Sequence, residues 1–130
     1  MERLHSDCSG LNMYIQSEIC SSILNHINEL SKKNIDSSEL GELKQEQFVL
    51  LLNSANHYLN NLINKITSKY PKLKKEDQYY LCMVILGLSD KQISSLFGVT
   101  YNAIKVRKRK ICSILVVDNN ELHNFLIDKI

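Results

Sequence analysis

Proline is nearly missing from this sequence and glycine is sparse, with one and four in 130 residues. So few breakers exclude a turn-rich β architecture and favour helices over long uninterrupted stretches. No cysteine pair has CxxC spacing. Cys8, Cys20, Cys82 and Cys112 lie far apart in a chain that is not a small loop-rich scaffold, so reduced thiols are expected. His5, His26, His57 and His123 never fall four apart, which removes the commonest helical metal spacing, and no metal is expected. The longest clean apolar stretch, "YYLCMVIL", is too short to span a bilayer. The start, "MERLHSDCSG", lacks the apolar core of a signal peptide. No nucleophile–base pair or phosphate loop stands out. These absences point to a cytoplasmic, non-enzymatic protein without cofactor or membrane partner.

What is present is unevenly distributed charge. The net charge is only +2. From Lys69 to Lys110, however, ten Lys/Arg face three acids, Glu76, Asp77 and Asp90. The segments on either side are net acidic, and residues 99–117 contain no acid at all. Positive charge gathered in one segment is the electrostatic footprint of a nucleic-acid binder, although clustered lysine can also be merely solubilising.

Helical periodicity organises the N-terminal half. After a frayed lead-in of ten residues, apolar side chains recur at 11, 15, 19, 23, 27 and 30, widened by Tyr14, Cys20 and Leu24. "NIDSSEL" is a polar break in which Ser37 or Ser38 can cap the next helix. That helix reads as long. Phe48, Leu52, Ala55, Leu59, Leu62 and Ile66 form a short heptad seam, which either packs within the chain or pairs two chains. Tyr70 before Pro71 marks a boundary, giving a helical region 1–70 for packing or dimerisation and a second unit 71–130.

The second unit carries explicit helix punctuation. Residues 75–86 read as a mostly buried helix with acids in its first turn, ended by Gly87. Ser89 and Gln92 then make a capping box, with Leu88 and Ile93 as a hydrophobic staple. The helix runs from Asp90 to Phe97, turns Ile93, Leu96 and Phe97 inward, and stops at Gly98. Thr100 caps a third helix of about 101–115, with Val99 and Ile104 as a second staple. Two helices joined by a tight glycine-containing turn make a helix-turn-helix.

Placing "KVRKRK" on that third helix divides it. At about 100° per residue, Ile104, Ile111 and Leu115 share the core face. Asn102, Lys105, Val106, Arg109 and Ser113 lie opposite. Arginine suits guanine, asparagine suits adenine, and a compact apolar group suits a thymine methyl. Arg107 and Lys108 flank the core face, where either their stems lie along it or their charges meet phosphate. Lys91, Thr100 and Tyr101 complete the candidate DNA-contacting set.

The stretch "LKKEDQYYLCMVILGLSDKQISSLFGVTYNAIKVRKRKI" resembles the LuxR/NarL-type (GerE-like) helix-turn-helix of bacterial transcription regulators. Leu73, Glu76 and Leu81, the run Gly87 to Ile93, Leu96, Gly98 to Thr100, and Ala103 to Val106 carry the likeness, which extends over about 73–127. The resemblance implies a four-helix DNA-binding unit whose third helix enters the major groove, with Lys105, Val106 and Arg109 facing bases. Three positions depart from the pattern. Ser94 stands where the family has alanine, Arg107 where it has histidine, and Ile114-Leu115 where a cation precedes leucine. Residues 1–70 are acidic and free of tryptophan, unlike the promoter-melting part of a sigma factor.

Together these readings set the expectations. The fold is all-α, with an N-terminal helical hairpin or long helix followed by a four-helix helix-turn-helix unit. The function is a sequence-specific, cytoplasmic bacterial DNA-binding transcription regulator, acting as a homodimer. The alternative is a helical protein-interaction or dimerisation module of a larger signalling regulator, with RNA polymerase or a sensor protein as partner. A basic helix lying on a membrane surface is disfavoured, because the apolar side of 104–115 is narrow and already needed for the core.

Overall fold

The helix bounds read in the C-terminal half, 75–86, 90–97 and about 101–115, are those of the computed structural model, which describes residues 10–36 and 39–130. Helices α1 (Glu18–Lys32), α2 (Gln45–Tyr58), α3 (Leu62–Lys69), α4 (Lys75–Leu86), α5 (Asp90–Phe97), α6 (Tyr101–Leu115) and α7 (Leu122–Ile127) follow in order. A short 3₁₀ turn, Asn119–Glu121, leads into α7. The described residues contain no strand, and no described helix is long and apolar enough to cross a membrane. The frayed lead-in with His5 and Cys8, and the cap at Ser37 or Ser38, lie outside the described residues.

Helix α4 is the hub. Every residue from Asp77 to Leu86 is buried. A helix apolar on all sides needs neighbours on all sides, and α2, α3 and α7 supply them. Gly87 ends it in the left-handed conformation, at φ 91°. Cys20, Cys82 and Cys112 are free thiols. Burial pushes each of them above the ordinary thiol range.

Three expectations for the N-terminal half are corrected. First, the periodic segment from residue 11 is broken at Ser17. Its hydroxyl donates to the Tyr14 carbonyl at 2.6 Å, and α1 starts one residue later. The most deeply buried side chains here are Tyr14, Cys20 and Ile23, so two of the three residues that merely widened the stripe lead the core. Tyr14 reaches across to donate its hydroxyl to the Cys82 carbonyl at 2.7 Å.

Second, the long helix is two helices. Asn60 and Asn61 adopt left-handed φ values of 56° and 63°, which asparagine tolerates better than most residues. Asn56 bridges the corner, its Oδ1 accepting from the Asn64 N–H at 3.1 Å. All six seam residues remain buried inside the chain, so the seam is an internal contact and is not available for pairing two chains.

Third, the turn at Tyr70–Pro71 separates α3 from α4 but does not separate two cores. One cluster of buried side chains runs from Tyr14 to Leu126 across it. The polar segment before α2 is also tied down. Leu40 and Gly41 N–H groups donate to Ser95 Oγ at 2.7 and 3.2 Å, and Leu43 N–H donates to the Leu96 carbonyl at 2.7 Å. His26 Nε2–H donates to the Leu40 carbonyl at 2.8 Å, joining α1 to the same strap.

Helix α6 ends unusually. Val116 takes the left-handed conformation at φ 58° and is 85% exposed. A β-branched residue is strained there and gains little burial in return. Val116→Gly is expected to raise stability by about 0.5–1 kcal/mol, because the left-handed penalty is removed and only part of it returns as chain entropy. Thermal denaturation of the two proteins checks the sign, and a lower Tm for the glycine variant would contradict it.

Candidate nucleic-acid interface

The α5–turn–α6 unit is assembled by local bonds. Ser89 Oγ accepts from the Gln92 N–H at 3.2 Å, while Gln92 Oε1 accepts from the Ser89 N–H at 2.9 Å. Ile93 is fully buried against a half-buried Leu88. Gly98 turns the chain at φ 71°, and Thr100 Oγ1 accepts from the Ala103 N–H at 3.1 Å to open α6. Ile104 is buried, but Val99 is 47% exposed, so the expected second staple does not close. The turn is held instead by the Gly98 and Val99 N–H groups donating to the Ser95 and Ser94 carbonyls, at 3.1 and 3.0 Å. Ser94, the departure from alanine, is buried, and its hydroxyl is satisfied by the Lys91 carbonyl at 2.8 Å.

Helix α6 presents two faces. Ile104, Ile111 and Leu115 are buried as the helical wheel placed them, joined by Cys112. Asn102, Lys105, Val106, Arg109 and Ser113 are exposed on the opposite side. Tyr101, the first residue of the helix, is exposed between two cations. Lys91 Nζ and Lys105 Nζ lie 6.0 and 5.3 Å from its ring centroid. The structure thus brings Lys91 of α5 beside the start of α6, where Thr100, Tyr101 and Lys105 already stand.

Arg107 and Lys108, the two cations that flank the core face, are each paired with an acid of the protein. Arg107 Nη1 donates to Asp77 Oδ1 at 2.7 Å, and its guanidinium carbon lies 5.9 Å from the Phe97 ring centroid. Lys108 Nζ lies 3.7 Å from Asp90 Oδ2. Asp90 Oδ1 also accepts from the Tyr80 hydroxyl at 2.8 Å. Burial, and then this bond to Asp90, hold the Tyr80 phenol well above its ordinary range. The third member of the run, Lys110, reaches Asp77 Oδ2 at 3.0 Å. Lys91, Lys105 and Arg109 have no carboxylate partner among the described residues.

The residue that sorts these cations is Asp77, which the sequence reading passed over. Glu76, the acid that carried the resemblance, is exposed, whereas Asp77 beside it is completely buried. Its Oδ2 also accepts from the Lys74 N–H at 2.9 Å, capping α4. The signal lay in its position: an acid three residues after the helix cap and immediately before a continuous apolar run. No protein-family model, curated protein or solved structure matches the chain.

Asp77→Ala leaves Arg107 facing apolar surface without its carboxylate, and is expected to cost about 3 kcal/mol of stability. Lys110 is 45% exposed, so Lys110→Ala is expected to cost less than about 1 kcal/mol. Urea denaturation of both variants tests the ranking, and equal losses would contradict it.

Proposed function

We propose that this chain is a sequence-specific DNA-binding transcription regulator that lays α6 in the major groove. The observation that carries the reading is the outward stripe Asn102, Lys105, Val106 and Arg109, in which both cations lack an internal acid partner. A guanidinium can grip guanine with two parallel bonds, an amide can do the same for adenine, and the Val106 methyls suit a thymine methyl. Lys91, Thr100 and Tyr101 stand at the end of α6 that leads into the groove and serve as backbone contacts. The helix starts at Ser89 and Thr100 can each dock a phosphate oxygen. In this reading Arg107 and Lys108 act indirectly, by holding α6 at a set angle on α4 and α5. We place such a regulator in the bacterial cytoplasm, acting as a homodimer with RNA polymerase or a sensor protein as its further contact.

A second reading, a protein-interaction or dimerisation module, is favoured by one observation. Helices α1 and α2 border an open groove of 710 Å³ lined in part by Ile19, Leu50 and Tyr58. Leu50 is 54% exposed there, which is unusual for a large apolar side chain beside a concavity. Sedimentation of the wild type and of Leu50→Glu tests this groove: a pairing surface makes the variant lighter, and an unchanged mass counts against it.

For the DNA reading, a mobility-shift titration against genomic fragments should show binding that weakens steeply with salt. Arg109→Ala is expected to lose about tenfold or more in discrimination between the selected site and a mismatched one. Lys91→Ala is expected to weaken both DNAs by the same factor. Absence of any shift at low salt would defeat the proposal.

A further inference from the structure

The basic segment holds more cations than α6 displays. Lys69, Lys72, Lys74 and Lys75 occupy the end of α3, the turn around Pro71 and the start of α4, and all four are exposed. None of them pairs with a carboxylate among the described residues. Leu73 in their midst is buried and anchors the turn, and its N–H donates to the Tyr70 carbonyl at 3.1 Å. The lysines are therefore presented from a fixed stretch of backbone.

Their position relative to α6 is set by Asp77. The same carboxylate oxygen accepts from the Lys74 N–H at 2.9 Å and from Lys110 Nζ at 3.0 Å. The start of α4 thus lies directly against the Lys110 edge of α6. Lys110 follows Val106 by one helical turn, so that edge borders the outward stripe. Asp77 is neutralised by Arg107 and Lys110, which leaves Glu76 as the acid exposed beside the turn.

We infer that the α3–α4 turn, through Lys69, Lys72, Lys74 and Lys75, is a second DNA-contacting surface that grips the phosphate backbone beside the stretch read by α6. This inference rests on the DNA-binding reading above. The chemistry differs between the two surfaces. The α6 stripe mixes an amide, a guanidinium, an ammonium and methyl groups, a set that can tell base pairs apart. The turn offers ammonium groups, which act as point charges without the planar fork that reads a base edge. Contacts of that kind fix register and add affinity while carrying no sequence information. The surface thus contributes affinity on every duplex alike.

The test compares the full chain with Lys72→Ala/Lys75→Ala by fluorescence anisotropy, on a selected duplex and a scrambled one, across a salt series. A melting curve confirms that the variant keeps the wild-type fold, as expected for two exposed side chains. The expected result is an equal fold-loss of affinity on both duplexes. The slope of log affinity against log salt should become shallower by about 0.9 for each lost phosphate contact. The ratio between the two duplexes should stay as in the wild type. If the wild type binds and the variant shows the same affinity and slope, the second surface is overturned while the DNA reading stands. A variant that loses only the selected duplex overturns it as well, since the turn would then be reading bases. If the wild type binds neither duplex, the DNA reading itself fails and takes this inference with it.

Discussion

A carboxylate with no access to water has to be surrounded by donors, and Asp77 is such a carboxylate. It sits in the first turn of α4, the buried helix on which α2, α3 and α7 pack. One oxygen receives Arg107, and the other receives Lys110 and the Lys74 N–H. Charge-assisted bonds are directional and strong in a low-dielectric setting. They couple the rotation of α6 about its axis to the start of α4. Once Arg107 and Lys110 are drawn towards Asp77, Ile104 and Ile111 face the core, and Lys105 and Arg109 have nowhere to go but outward.

The basic run is therefore two populations that look alike in composition. Arg107, Lys108 and Lys110 are answered by acids, and part of their charge is spent inside the protein. Lys105 and Arg109 keep theirs, as does Lys91 from the preceding helix. The Tyr101 ring lies between Lys91 and Lys105 and gives both ammonium groups a weak π contact without neutralising either. The outward surface keeps its positive field while the scaffold beneath it is internally compensated.

The N-terminal half is fastened to the same unit at its turn. The strap from Leu40 to Lys44 bonds to Ser95 and Leu96, and the exposed Glu42 side chain lies over Gly98. Gly98 is needed for its left-handed conformation, at φ 71°. Two stacked contacts, Phe48 with Tyr79 and Phe48 with Phe97, each with ring centroids 5.1 Å apart, carry α2 onto α4 and α5. Residues 10–70 are in this way part of the scaffold that holds the helix-turn-helix, joined to it through a shared core.

How much of this was legible in the linear sequence depends on the range of the interaction. Ser89, Gln92, Gly87, Gly98 and Thr100 act on residues three or four away, so the bounds of α4, α5 and α6 and the two faces of α6 could be read directly. The Asn60–Asn61 corner was local too, but a continuous heptad pattern masked it, because the seam residues stay buried on both sides of the break. Val99 followed the staple pattern and still faces water, since the Schellman-type bonds of the turn decide its direction. The partners of Arg107, Lys108 and Lys110 were out of reach. Asp77 lies 30 residues from Arg107, and only the packing of α6 on α4 brings them together. The sequence by itself determined the helices, their ends and which side of α6 is apolar, because those follow from backbone bonds and side chains within a turn or two. The tertiary structure alone decided which cations are held and which remain outward, because that depends on which acid loses its water when the helices close.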